Sequence, residues 1–163
     1  MYTLAILTIS DSGSQGKRED VSGKTIADMM MAKGFKVVHY QIVPDEKNQI
    51  QSKLMEWCDS GKIDLVLTTG GTGLGSRDVT PEATSAVIEL TVPGIAEAMR
   101  MDSLKKTPMA MISRAVAGIR GRCLIINLPG SPKGVRECLE VALPVIPHAL
   151  ELLRGHTEHK PAD

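Results

Sequence analysis

Aromatic side chains are almost missing from this chain: among 163 residues there are one Trp, one Phe and two Tyr, 2% in all. A core must therefore be aliphatic, with nine methionines available to fill its gaps. Net charge is missing too. Lys+Arg and Asp+Glu both number 19, which argues against a nucleic-acid partner that needs a broad basic footprint, while leaving room for a local basic pocket. Only Cys58, Cys123 and Cys138 are present. They are odd in number, widely spaced and without a C-x-x-C pair, so neither a disulfide framework nor a thiolate metal cluster is expected. Three reduced, packed thiols in a reducing compartment are. No apolar run is long enough for a membrane span, and "MYTLAILTISDSG" lacks the basic segment of a signal peptide. The expectation is a cytoplasmic protein with no membrane partner. Its length suits one domain over residues 1–155, followed by a C-terminal tail over 156–163.

What is present is a repeated alternation. "TLAILTI" (3–9), "FKVVHYQIV" (35–43), "IDLVLTT" (63–69) and "RCLIINL" (122–128) are apolar runs rich in β-branched residues and read as strands. Between them lie helical patterns. Val21, Ile26, Met29 and Met30 form a stripe closed by Gly34, and Ile50, Leu54 and Trp57 share a face stopped by Gly61. Thr80 is placed to cap a helix that has Pro81 at its first position and Glu82 in its first turn. Residues 93–106 and a C-terminal stretch broken around Pro144 complete the helices. Strand and helix in alternation imply an α/β three-layer sandwich, a mainly parallel sheet flanked by helices. Ligands of such sheets gather beyond the carboxyl ends of the strands. All four strand exits are polar or turn-rich: "SDSGS", "PDE", "GGTGLGSRD" and "PGSPK".

The third exit carries four glycines between positions 70 and 75. Such a turn can present backbone N–H groups to an anion. It lacks the lysine of a P-loop and the third glycine of a dinucleotide fingerprint. Its amides, the hydroxyls of Thr69 and Thr72, and the helix start at Thr80 suit a phosphate. Asp78 would repel that phosphate unless a divalent cation lay between them. Asp45, leaving the second strand, and Glu82, one turn into the helix, are further candidate ligands for the same Mg²⁺, which accepts one or two carboxylates alongside phosphates and water.

These motifs together, "TISDS", "TTGGTGLGSRDVTPEA", "AMISRAVAGIRG" and "LIINLPGSPKG", resemble the Mog/MoaB family of molybdenum-cofactor biosynthesis proteins across nearly the whole chain. The resemblance implies a molybdopterin-binding-like fold, assembly as a homotrimer, and adenylylation of the molybdopterin terminal phosphate from Mg-ATP with release of pyrophosphate. The product would pass to a molybdenum insertase. It also implies that Asp45 and Asp78 are the functional acids and that Gly70, Gly71, Thr72 and Gly73 form the phosphate and pterin loop. Ser10, Asp11, Ser113, Arg114, Pro129, Gly130 and Ser131 would line the same pocket. Ser131 stands where gephyrin-type domains tend to have Asn in "PGNP", a departure confined to that turn. Family paralogues share the glycine loop whether or not they turn over, so a non-catalytic pterin carrier is the alternative reading.

In that chemistry the nucleophile is already an anion, so positioning and charge neutralisation outweigh general base catalysis. Arg77, Arg114 and Lys133 are equally available to steady the transferring group. No Cys or Lys sits in an evident nucleophile motif. His39 and His148 read as packed or edge-exposed residues, His156 and His159 as part of the tail, and Trp57 as core. "DMMMAKG" reads as core or interface filling, and "GKRED" as a solvated or mobile loop, with a lid over the pocket as the alternative.

Overall fold

The computed structural model describes residues 1–156. All but the first residue of the expected tail lie outside that range. Strands β1 (Thr3–Ile9), β2 (Lys36–Val43), β3 (Leu65–Thr69) and β6 (Cys123–Leu128) fall on the four apolar runs. Two further strands, β4 (Leu90–Thr91) and β5 (Ala117–Arg120), were not expected from the sequence. The six form one sheet in the order β2-β1-β3-β6-β5-β4. The first four are parallel, and β5 and β4 continue the sheet antiparallel. β4 escapes a pattern search because it is two residues long and both are exposed.

Helices cover both faces. Alternate residues of β1 show why: Leu4 and Ile6 belong to one core, Ala5, Leu7 and Ile9 to the other, as the two-residue period of a strand requires. The first core is closed by α2 (Val21–Met31), α5 (Pro93–Leu104), α6 (Pro132–Ala142) and α7 (Ile146–Leu153). The second is closed by α3 (Lys47–Asp59) and α4 (Thr80–Val87). The three-layer α/β sandwich is as expected. Trp57 is buried, and His39 stacks on it with ring centroids 5.6 Å apart. The methionine cluster divides: Met30 is fully buried, whereas Met31 is exposed. All three cysteines are buried free thiols. No helix among the described residues is long and apolar enough to cross a membrane.

One local expectation is corrected. Thr80 is not the cap of α4; Val79 precedes the helix, and Thr80 is its first residue. The Thr80 hydroxyl donates instead to the Gly70 carbonyl at 2.8 Å, a bond across the glycine loop in place of one to its own helix.

Candidate functional site

Because β1, β2, β3 and β6 run parallel, their exits fall at one edge of the sheet, and the four polar loops meet there. Their backbones come very close. Gly70 has φ of +97°, and a Cβ there would overlap the Ile9 carbonyl oxygen at the end of β1. Gly71 has φ of +70°, and its Cβ would overlap the Thr80 hydroxyl and lie 3.2 Å from Asp45 Oδ1. Side chains are excluded at both positions by conformation and by space. The turn after β6 is drawn in as well. Thr69 Oγ1 donates to the Pro129 carbonyl at 2.6 Å, and Ser22 Oγ, at the start of α2, donates to the Gly130 carbonyl at 2.6 Å.

Two clefts, each of about 430 Å³, flank the Pro129–Ser131 turn. Ser131 lines both. The first also touches Ser10, Arg18, Asp20, Ser22 and Gly70. The second is walled by Met99, Arg100, Ser113, Asn127 and Lys133. The hydroxyls of Ser10 and Ser131 accept from the amides of Gly13 and Gly134, each at 3.0 Å, capping α1 (Asp11–Ser14) and α6.

The acids divide into two groups. Asp11 and Asp45 clasp each other's backbone: Asp11 N donates to Asp45 Oδ2 at 2.9 Å, and Asp45 N donates to Asp11 Oδ1 at 3.0 Å. Arg77 lies over Asp11 through Nε and Nη2 and reaches Glu46 at 2.8 Å. Its hydrogen bond holds the Asp11 carboxyl below the usual range. Asp45 moves the other way. Burial raises its carboxyl, and the negative charges of Asp11 and Asp78 add to the rise despite the Asp11 amide and the Arg77 charge. Asp78 accepts from the Gly75 amide at 2.9 Å. Glu82 belongs elsewhere, in an ion pair with Arg114. Three carboxylates therefore do not gather around one point, and no such group of ligand-type side chains occurs among the described residues.

Arg114 is spent on the protein. Its backbone N–H donates to the Thr72 carbonyl at 2.9 Å, Nε donates to the Gly73 carbonyl at 2.7 Å, and Nη2 donates to the Asp78 carbonyl at 2.9 Å. The structure thus gathers Ser10, Asp11, Asp45, Gly70, Gly71, Asp78, Thr80 and the 129–131 turn at one edge, with Thr72 buried beneath. Ser113 opens only onto the second cleft.

Two residues were not singled out from the sequence. Asp20 accepts from Thr8 Oγ1 at 2.6 Å and from Gly23 N at 2.9 Å, and it bonds the Tyr40 hydroxyl, fixing the start of α2 beside the cleft. An Asp three residues before a glycine at the head of a helical stripe was the available signal. Asn127, a fully buried amide inside β6, donates to Thr68 and Thr84 at 2.9 and 3.0 Å. One polar residue within "CLIINL" was the sign of it.

Comparison with known proteins agrees with this fold. The family described as a probable molybdopterin binding domain matches residues 5–148. A molybdopterin adenylyltransferase of Helicobacter pylori is 48% identical over 155 residues, 94% of this chain and 88% of the relative. Gephyrin of Dictyostelium discoideum is 44% identical over 164 aligned residues, 94% of this chain but 23% of gephyrin. The solved structure of the molybdopterin biosynthesis enzyme MoaB of Thermus thermophilus has a TM-score of 0.90 at 53% identity, covering 95% of this chain and 98% of its own.

Proposed function

This chain belongs to the molybdopterin-binding domain family, and we propose that it adenylylates the terminal phosphate of molybdopterin from Mg-ATP and releases pyrophosphate. It is a nucleotidyltransferase of molybdenum-cofactor biosynthesis. The observation that carries the finer reading is the meeting of a side-chain-free glycine loop with the half-buried Asp45 and with Asp78. Bare loop amides suit a phosphate, and a carboxylate raised by burial and by its acidic neighbours suits a cation.

A terminal phosphate oxygen of the pterin attacks the α-phosphorus of ATP. The new phosphoanhydride bond forms as the bond to the bridging oxygen breaks, and pyrophosphate leaves with that electron pair. Asp45 and Asp78 would hold Mg²⁺, which supplies neutralising charge to the triphosphate when bound. The Gly70 amide is bonded to the Leu128 carbonyl at 3.3 Å, so the amides of Gly71, Thr72 and Gly73 fix the pterin phosphate, and much of the barrier is removed by placement. Thr80 and Asp11 keep the loop and Asp45 in place. Glu82, paired with Arg114, stays outside this ligand set.

The three buried free thiols support a reducing, cytoplasmic setting. The exposed Met101, Met109, Met111 and Ile112 support association into a homotrimer, and an insertase would take the product. Light scattering at micromolar concentration should give three chains, and a monomer would remove the trimer. The deciding experiment incubates the protein with molybdopterin and Mg-ATP labelled on the α-phosphate. Label on the pterin with matching pyrophosphate is expected. Tight pterin binding without transfer would make the protein a carrier.

A further inference from the structure

We propose that Arg114 is a positioning residue that sets the place of Asp78 and does not itself touch either substrate, an inference that rests on the adenylylation reading above. The stretch from Leu74 to Arg77 is exposed, and Asp78 follows it directly. Within this stretch the bonds among the described residues are Asp78 N to the Gly75 carbonyl at 3.0 Å and Gly75 N to the Asp78 carboxylate at 2.9 Å. Both lie inside the loop and move with it. From outside, the Arg77 side chain reaches Asp11 and Glu46 in half-exposed ion pairs, whereas Arg114 ties the loop backbone itself, to Thr72 and Gly73 where the loop begins and to the Asp78 carbonyl where it ends.

The two carbonyl contacts of the guanidinium, Nε to Gly73 and Nη2 to Asp78, decide the role, because the half-exposed ion pair with Glu82 is of a kind that contributes little alone. A carbonyl keeps its dipole at every pH, so a guanidinium shared between these two is not free to swing toward a phosphate. Its fork geometry reaches Gly73, Asp78 and Glu82 at once, which a lysine ammonium on a single stem cannot. Arg114 is fixed from behind. Val116, two residues on, exchanges bonds with Asn127: Val116 N donates to Asn127 Oδ1 at 3.1 Å, and Asn127 N donates to the Val116 carbonyl at 3.0 Å. The Asn127 amide is in turn held by Thr68 of β3 and Thr84 of α4. A buried, fully bonded network thus connects the rigid sheet to the loop that carries Asp78. By contrast, Arg18 and Lys133 line the two clefts without an ion pair among the described residues.

The test is amide hydrogen exchange by mass spectrometry on the ligand-free full chain, comparing the unsubstituted protein with Arg114→Ala and Arg114→Lys. Amides of residues 72–78 are expected to exchange about 10-fold faster in both variants, with peptides from β3 and α6 unchanged. The same variants should lose about 100-fold in kcat while KM for ATP moves less than about 3-fold. Unchanged loop exchange in both variants overturns the proposal, and with lost turnover it would make Arg114 a substrate contact. Faster exchange with unaltered kcat overturns it as well. Should Arg114→Ala fail to fold, Arg114→Lys keeps the charge and stem and decides alone. If the unsubstituted protein transfers no label, the adenylylation reading fails separately, and the exchange measurement still shows whether Arg114 holds the loop.

Discussion

Asp64 and Asp45 are both half-buried carboxylates, one at each end of the sheet, and their surroundings drive them in opposite directions. At the amino end, burial works against the Asp64 charge, but bonds from Arg154 and from the amide and hydroxyl of Thr3 outweigh it and hold the carboxyl below its usual range. Arg154 Nη2 and Thr3 N each donate to Asp64 Oδ2 at 2.8 Å, and the guanidinium lies 4.4 Å over the Tyr2 ring. At the carboxyl end no cation bonds the Asp45 carboxylate among the described residues, and two other acids crowd it. The amino end is neutralised internally, as a joint between β3, the N-terminus and the end of α7 should be. At Asp45 the carboxyl end keeps a charge without a bonded cation, and relief from its burial and from its acidic neighbours is available to a cationic ligand.

Substitutions can break or sharpen this contrast. The largest effect is expected from Asp78→Asn and Asp45→Asn, each lowering kcat by about 100- to 1,000-fold in pyrophosphate release, while Asp78→Asn still binds pterin. Asp45→Asn should melt no lower than the unsubstituted protein, because removing a buried, crowded charge relieves its desolvation and the repulsion of Asp11 and Asp78. A lower melting temperature in that variant would show that Asp45 is as well matched as Asp64. Next is Gly71→Val, which forces a branched side chain into left-handed backbone against Thr80. Pterin affinity should fall by about 10-fold or more in a binding titration, and unchanged affinity would place the phosphate elsewhere.

The smallest effect is at the other end. Asp64→Asn should cost about 1 kcal/mol in urea unfolding, discounted for its partial exposure, and leave turnover unchanged. Its pH dependence has a definite sign. The folded carboxyl titrates below the unfolded one, so its contribution is fully present above the ordinary aspartate value of about 4 and is lost as pH falls through the lowered folded value. The gap between Asp64→Asn and the unsubstituted protein should therefore hold from pH 7 to about 4 and close below that.

Much of this architecture was legible because parallel strands buried on both faces leave long apolar runs, as "TLAILTI" and "CLIINL" do. The same runs placed the polar exits on one edge, so the meeting of Asp45 with Gly71 was foreseeable in outline. The antiparallel β4–β5 pair was not. β4 has no buried face, and β5 is four residues, too few to show a period. Nor could one sequence apportion the basic residues. Arg77, Arg114 and Lys133 look alike as letters, and only the fold turns Arg77 toward Asp11, Arg114 onto loop carbonyls and Lys133 toward a cleft. Glu82 illustrates the same point, since its place in a first helical turn suited a cap, a ligand or an ion pair equally well.

The overlap that a Cβ at Gly70 would make with the Ile9 carbonyl has a consequence for how the site could change over time. Loops that leave neighbouring parallel strands at one height inherit the inter-strand interval of about 4.8 Å as their ruler. The width of the mouth at that point is thus a property of the sheet, and no exchange of loop side chains can stretch it. Variation in what the protein accepts is steered outward to the walls, to residues such as Arg18 and Lys133, while the gauge at the centre remains fixed.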